Sequence, residues 1–317
     1  MTDLDPIMTA LRQATVLCRE VQAKYLSSSE KAGREPVTIA DYGSQAIICR
    51  AISQAFPDDA VIAEEQGRQF LELVPPPQRA QVIALIAAVL GESVTEEAVV
   101  RWLDHGQDRA ASRCWVIDPI DGTKGFIARR HYAIAVGIVE DGQPTGGLMS
   151  APGYGDGAGA LFYALENIAY QQPLNGGTAQ TIHVSDRRDP AMVRTVQSVE
   201  KAHSSKSRIQ RVREGAGLGQ SPVAELDSME KYALVANGDA DVYLRLPRAG
   251  STYAHKAWDH AAGVALVLAA GGMATDVDGS PLDFSQGRTL PNKGMVVTNG
   301  TIHDRVLAAV QAVLGDE

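Results

Sequence analysis

The apolar positions at the start of the chain recur at helical spacing. Ile7, Leu11, Ala14, Val21 and Leu26 fall on one stripe, which predicts a helix over Pro6 to Tyr25. A polar linker, SSSEKAGREP, follows. PVTIADYGSQAIICRAISQAF then reads as a short extended piece and a second helix with Ile48, Ala51, Ile52 and Ala55 on its inner stripe. Phe56-Pro57-Asp58-Asp59 ends that helix in a turn. AVIAEEQG is a short β-like run that stops on two glutamates. From about Pro75 to Asp108 the pattern predicts two inserted helices, the second opened by Ser93 and Glu96 as a capping box. SRCWVID is the next strand, YAIAVGIVEDGQPTGGLMSAP a hairpin turning at Asp141-Gly142, and LFYALENIAYQQPLNG a further strand and turn.

Between Pro173 and Thr181 the chain becomes polar and glycine-rich, which marks an expected lobe boundary. Beyond it, MVRTVQSVE and ADVYLRL read as strands, and SMEKYALVANG, WDHAAGVALVLAAGG and TIHDRVLAAVQAVLG as helices. No internal repeat is present. Strands and helices alternate without a clean βαβ rhythm, and neither GxGxxG nor GxxxxGK[ST] occurs, so a Rossmann or P-loop phosphate cradle is not expected. A layered α/β arrangement with some antiparallel sheet fits the pattern better.

Composition changes this picture little. The 317 residues are 45% hydrophobic and 21% charged, enough for one large core or two lobes. The net charge of -9 argues against a nucleic-acid partner. It leaves an anionic substrate open, because bound cations can invert a local field. The cysteines Cys18, Cys49 and Cys114 lie far apart in apolar surroundings, as expected for reduced, buried thiols. The start MTDLDPIMTALRQ has no basic and apolar leader pattern, and no apolar run is long enough to span a bilayer. A soluble cytoplasmic protein is expected.

The chemistry concentrates in acidic segments. WVIDPIDGTKG carries Asp118 and Asp121, with Pro119 and Gly122 favouring a bend that folds one carboxylate toward the other. The Ile120 carbonyl can face the same concavity, giving the all-oxygen surroundings that Mg²⁺ prefers. AVIAEE places Glu64 and Glu65 at a strand end, KAWDHAAG places Asp259 at a helix start where it can cap the first turn, and Asp41 lies at another helix start. Taken singly, Asp41 and Asp259 read as caps, Glu64 and Glu65 as loop carboxylates, and Asp118 and Asp121 as turn residues. Were Glu64, Asp118, Asp121 and Asp259 to converge, each pair near ~4 Å would repel by about 1 kcal/mol in water and about 4 kcal/mol at an effective dielectric near ~20. Such a cluster calls for a cation.

Three segments in order, Glu64-Glu65, Asp118-Pro119-Ile120-Asp121-Gly122-Thr123 and Trp258-Asp259-His260-Ala261-Ala262-Gly263, resemble the inositol monophosphatase superfamily of Mg²⁺-dependent phosphatases. PVTIADYGSQAII, FPDDAVIAEE, DPIDGTKGF, VEKAHSS, LDSMEKYALVANGDADVYLRLP and PLDFSQGRTL are similar to its 3'(2'),5'-bisphosphate nucleotidase branch. The resemblance implies a layered αβαβα α/β (α+β) fold with an antiparallel sheet in the N-terminal lobe and a mixed sheet in the C-terminal lobe. Residues 1–175, with a helical insertion at about 70–111, would hold the metal, and residues 176–317 the substrate. It implies that Glu64, Asp118, Asp121, Asp259 and the Ile120 carbonyl bind two or three Mg²⁺ ions, and that Asp41 and Thr123 pair to orient the attacking water. Gly122, Thr123, His203, Ser204, Ser228, Lys231, Arg245 and Asp259 would contact the substrate, the cations and hydroxyls among them serving a second phosphate away from the metal. Lys124 is ambiguous, since it can balance acidic charge instead of touching substrate. The chain departs from the branch at Ala63 and Ala202, where Gly is usual, and at Ala128-Arg129-Arg130, where Arg-Gly-Glu is usual.

The implied activity is hydrolysis of the 3'-phosphate of 3'-phosphoadenosine 5'-phosphate, with the 5'-phosphosulfate analogue as a second substrate. A small bisphosphate nucleotide is the implied partner, with no nucleic acid or membrane, and the enzyme is expected to be a monomer. An inositol phosphate 1-phosphatase is the rival within the same chemistry. A non-catalytic nucleotide sensor is a third reading, which the presence of Asp41, Thr123 and all the ligand carboxylates disfavours.

Overall fold

The computed structural model describes residues 3–25, 35–155, 157–199, 206–247 and 253–316. Helices α1 (Asp5–Tyr25) and α2 (Glu35–Ala55) lie on one face of a seven-stranded sheet ordered β1-β2-β3-β4-β5-β6-β7. Its strands are β1 (Ala60–Ala63), β2 (Arg113–Asp121), β3 (Ala133–Glu140), β4 (Gln143–Ala151), β5 (Ala160–Leu165), β6 (Ile168–Pro173) and β7 (Gln180–Ile182). Alternation divides each strand between two cores. Trp115, Ile117, Ile134 and Val136 point toward Leu11, Leu17, Ile47 and Ile48 of α1 and α2. Val116, Ala133 and Ala135 point the other way, toward α8 (Glu230–Ala236) and α9 (Ala261–Ala269).

A five-stranded sheet closes over those two helices. Its order is β11-β12-β10-β8-β9, built from β8 (Thr195–Ser198), β9 (Val223–Leu226), β10 (Val242–Arg245), β11 (Met273–Thr275) and β12 (Met295–Thr298). Val196, Tyr243 and Val297 face α8 and α9, while Val242, Leu244 and Val296 face α7 (Lys206–Gly215) and α10 (His303–Gly315). The layers therefore run αβαβα, as the resemblance implied. Helix α9 is apolar on every side because sheets flank it, and Ala261 through Val267 are all buried. It lies flat on the first sheet because that sheet offers no side chains there. A Cβ at Gly137 would stand 2.6 Å from the Ala261 Cβ, and one at Gly147 would stand 2.7 Å from the Ala262 carbonyl oxygen. This close approach seats the start of α9, and with it Asp259, on β3 and β4, and β3 is the strand paired with the one that carries Asp118.

Several local expectations need correction. Val37 to Ala40 are helical, so α2 is continuous and Asp41 sits within it, not at its start. Burial between α1 and the sheet outweighs the β-branched residues' preference for extended backbone. The first sheet is not wholly antiparallel, because β1 runs parallel to β2. The LFYALENIAYQQPLNG stretch forms two paired strands, β5 and β6. Inserted helices α4 (Pro76–Leu90) and α5 (Glu96–Leu103) are present, with a further short helix, α3 (Gly67–Leu73), before them. Thr95, not Ser93, caps α5, accepting from the Ala98 amide at 3.2 Å. Among the described residues no helix is long and apolar enough to cross a membrane.

Candidate active site

Strand β2 does not stop at Asp118. Its pairing with β3 runs to Asp118↔Ala135 and resumes at Asp121↔Ala133, so one extra residue is accommodated in β2. This bulge cancels the pleat's alternation, and carboxylates three positions apart reach the same side. Pro119 suits the place because a bulge leaves an amide without a ladder partner. From α2, the Ser44 hydroxyl donates to the Pro119 carbonyl at 3.1 Å and holds the bulge. Gly122 follows at φ 87°, where a Cβ would sit 2.7 Å from the Ser228 Cβ. That contact seats the Asp118–Thr123 segment against the loop before α8.

One carboxylate oxygen from each of Asp118, Asp121 and Asp259 lies within 4.8 Å of the others. Asp259 does not cap α9: His260 holds the N-cap position, and the Asp259 carboxylate turns to the Tyr253 hydroxyl at 3.4 Å and the Arg245 guanidinium at 3.6 Å. Glu64 lines the same cavity without joining that triangle, and Arg288 anchors its carbonyl oxygen at 3.2 Å. Ile120 also lines the cavity. Ala63, where a Gly is usual, adopts ordinary strand backbone, so the methyl adds no strain.

Asp118 is almost fully buried, and its Oδ1 has no hydrogen-bond partner. Burial, then the charges of Glu64, Asp121 and Asp259, hold its pKa well above the carboxylate range. Glu64, Asp121 and Asp259 are raised as well, first by burial; repulsion among neighbouring acids adds to it, and Arg245 and Lys231 partly offset it at Asp121. Three converging carboxylates, one with an orphaned oxygen, are unfavourable alone and match the donor set of a hard divalent cation. Asp41 lies behind the cavity on α2, its carboxyl raised by burial and by the nearby Glu64 and Glu65. Thr123 is on the cavity wall. Among the described residues no hydrogen bond joins Asp41 to Thr123.

The opposite wall is cationic. Lys231 and Arg245 are both buried, and burial drives the Lys231 ammonium down to about 8 against the pull of Asp121, Asp227 and Glu230. Ser228 stands between the walls at φ 71°, a left-handed conformation that a serine adopts only under constraint. Gly122, Thr123, Lys124, Ser228, Lys231 and Arg245 all line one cavity of about 290 Å³ with the acidic triangle. His203, Ser204 and Ala202 lie outside the described residues. Sequence reasoning missed Ser198, Asp227 and Tyr253 on the same wall. Tyr253 carried a usable signal, lying six positions before Asp259; Ser198 ends a strand and carried none.

The family model described as the inositol monophosphatase family matches residues 3–314. The chain belongs to the inositol monophosphatase family. Within this family it is 36% identical to a 3'(2'),5'-bisphosphate nucleotidase of Emericella nidulans, covering 96% of both chains. It is 33% identical to 3'(2'),5'-bisphosphate nucleotidase 2 of Candida albicans, covering 98% of this chain and 97% of that one. Among solved structures, a Thermotoga maritima IMPase aligns over 100% of this chain and 99% of its own at a TM-score of 0.64 with 22% identity, a likeness of fold.

Proposed function

We propose that this inositol monophosphatase family member is a magnesium-dependent 3'(2'),5'-bisphosphate nucleotidase that removes the 3'-phosphate of 3'-phosphoadenosine 5'-phosphate. The full-length likeness to proteins of that name supports the reading. The observation that carries it is the division of one cavity into an acidic wall of Asp118, Asp121 and Asp259 and a cationic wall of Lys231 and Arg245. A substrate with two phosphates satisfies both walls at once; a monophosphate leaves the buried Lys231 ammonium without a phosphate partner.

In this reading residues 1–175 supply the acidic wall except for Asp259, and residues 176–317 the cationic one. Asp118, Asp121, Asp259, Glu64 and the Ile120 carbonyl hold two or three Mg²⁺ ions, which when bound supply charge neutralisation and Lewis-acid polarisation of the phosphate. Thr123, with Asp41 behind it, orients the attacking water; its value is positional, since a threonine hydroxyl is a poor base. Lys231, Arg245 and Ser228 hold the second phosphate and aim the first at the acidic wall. The 5'-phosphosulfate analogue fits the same division of charge. A cytoplasmic monomer goes with this reading.

The test is phosphate release from the bisphosphate nucleotide, inositol 1-phosphate, inositol 1,4-bisphosphate and fructose 1,6-bisphosphate, each with and without Mg²⁺. Preference for the nucleotide is expected, and Lys231→Ala and Arg245→Ala are expected to raise its KM. Equal activity on inositol 1-phosphate would move the assignment to an inositol phosphatase. Nucleotide binding without turnover in saturating Mg²⁺ would move it to a sensor.

A further inference from the structure

The turn that follows helix α6 (Thr123–Ile127) makes two ion pairs to a distant segment. Arg130 donates through Nη2 at 2.8 Å and Nε at 3.1 Å to one carboxylate oxygen of Asp227. His131 places Nδ1 3.0 Å and 3.1 Å from the two carboxylate oxygens of Glu230. The acids are buried, with side chains only 4% and 2% exposed, whereas the Arg130 and His131 side chains are 50% and 38% exposed. Approach of the two segments is enforced at Gly125, where a Cβ would collide with the His131 carbonyl oxygen and stand 2.9 Å from the Asp227 Cβ.

Asp227 and Glu230 stand four positions and one position before Lys231, the cavity's key cation, and the charge of each acts on its ammonium. Lys231 nonetheless gives its hydrogen bonds to the carbonyls of Leu226, at 3.3 Å, and Ser228. Among the described residues it makes none to a carboxylate. An ammonium beside two buried acids ordinarily pairs with one of them, since an uncompensated buried carboxylate is costly. Here both acids are already paired, from the solvent side, by residues of another segment.

We propose that Arg130 and His131 are specificity-determining positioning residues, which occupy the Asp227 and Glu230 carboxylates and so leave the Lys231 ammonium available to the substrate's second phosphate. The inference rests on the reading of Lys231 given above. Without Arg130, the Asp227 carboxylate faces Lys231 unpaired. It either captures the ammonium or opposes the incoming phosphate, and each weakens binding of a second phosphate without altering the phosphate that reacts.

The experiment compares 3'-phosphoadenosine 5'-phosphate with adenosine 3'-monophosphate, which has one phosphate, in saturating Mg²⁺. Arg130→Met is expected to raise KM for the bisphosphate on the order of tenfold. Its kcat, and both constants for the monophosphate, are expected to stay within about twofold of wild type. Arg130→Lys, which keeps the charge, is expected to keep the wild-type KM. Adding Asp227→Asn to Arg130→Met removes the acid as well and should restore KM, a rescue that a purely structural ion pair would not give. His131→Gln alone and with Glu230→Gln forms a second, independent pair of measurements. A KM that stays unchanged in Arg130→Met, rises equally for both substrates, or is not rescued by Asp227→Asn overturns the inference. Lys231→Ala separates the two claims. If it raises KM for the bisphosphate selectively and Arg130→Met does not, only the inference is lost. If it has no selective effect, the second-phosphate reading falls and takes the inference with it.

Discussion

Neutralising one member of the acidic triangle should stabilise the metal-free protein. In Asp118→Asn the shape is kept and the charge removed. The three carboxylate oxygens lie within 4.8 Å of one another, so two ionised pairs involving Asp118 disappear. At an effective dielectric near ~20, each pair is worth about 3 kcal/mol. Protonation limits the penalty that the native state suffers, to about 1.4 kcal/mol for each pH unit above an ordinary carboxylate pKa near ~4, or roughly 5 kcal/mol at pH ~8. Against this, the amide keeps a buried polar atom where the Asp118 Oδ1 already lacks a partner, which costs about 1–3 kcal/mol. A net gain of about 2–4 kcal/mol remains, or roughly 4–8 °C in Tm for a chain of this size. The assay is thermal unfolding at pH ~8 in EDTA and again in Mg²⁺. The difference should shrink on adding the ion: wild type gains about 2.7 kcal/mol at a hundredfold excess over Kd, while the variant, lacking a ligand, gains less. A variant less stable than wild type in EDTA, or equal gains in Mg²⁺, would refute the view that these acids are held together at a cost that a cation relieves.

Three further outcomes follow from the structure. Gly122→Ala forces a methyl into left-handed backbone 2.7 Å from the Ser228 Cβ and should cost at least about 2 kcal/mol in urea unfolding; an unchanged midpoint would mean the two loops are not in contact. Phe126→Ala empties a fully buried site that packs edge-on against Tyr132 at 5.1 Å, with an expected loss of about 3–5 kcal/mol, and a loss below about 1 kcal/mol would contradict that packing. His131 titrates above its ordinary value, chiefly through its hydrogen bond to Glu230. A raised folded-state pKa means a contribution fully present below about pH 6.5 and lost as pH rises through the folded value. Wild type should therefore lose more stability than His131→Gln between pH ~6 and pH ~9; parallel pH curves would exclude an ionic bond at this position.

What the sequence revealed and what it hid divide along a physical line. Local periodicity resolved most of the elements, because the central strands of the first sheet meet a helical layer on either side and each amphipathic helix meets only one. It failed at α2, where Val37 and Ile39 suggest extended backbone in isolation and become helical only because α1 and the sheet bury them. It failed again at β2, where DPID reads as a turn; the bulge becomes visible only once Ala133 and Ala135 are known to be its partners. The acidic triangle was legible as composition and order but not as geometry. Asp259 looked like a helix cap, and nothing local distinguishes a cap from a carboxylate that turns to Arg245. Least visible of all was charge compensation. Arg130 and Asp227 are 97 positions apart, and each alone is an ordinary surface charge or turn acid. Only the fold shows that Arg130 pairs with an acid next to Lys231. Removing it would therefore change the field at a cavity whose wall it does not form, and a single sequence cannot report that kind of long-range dependence.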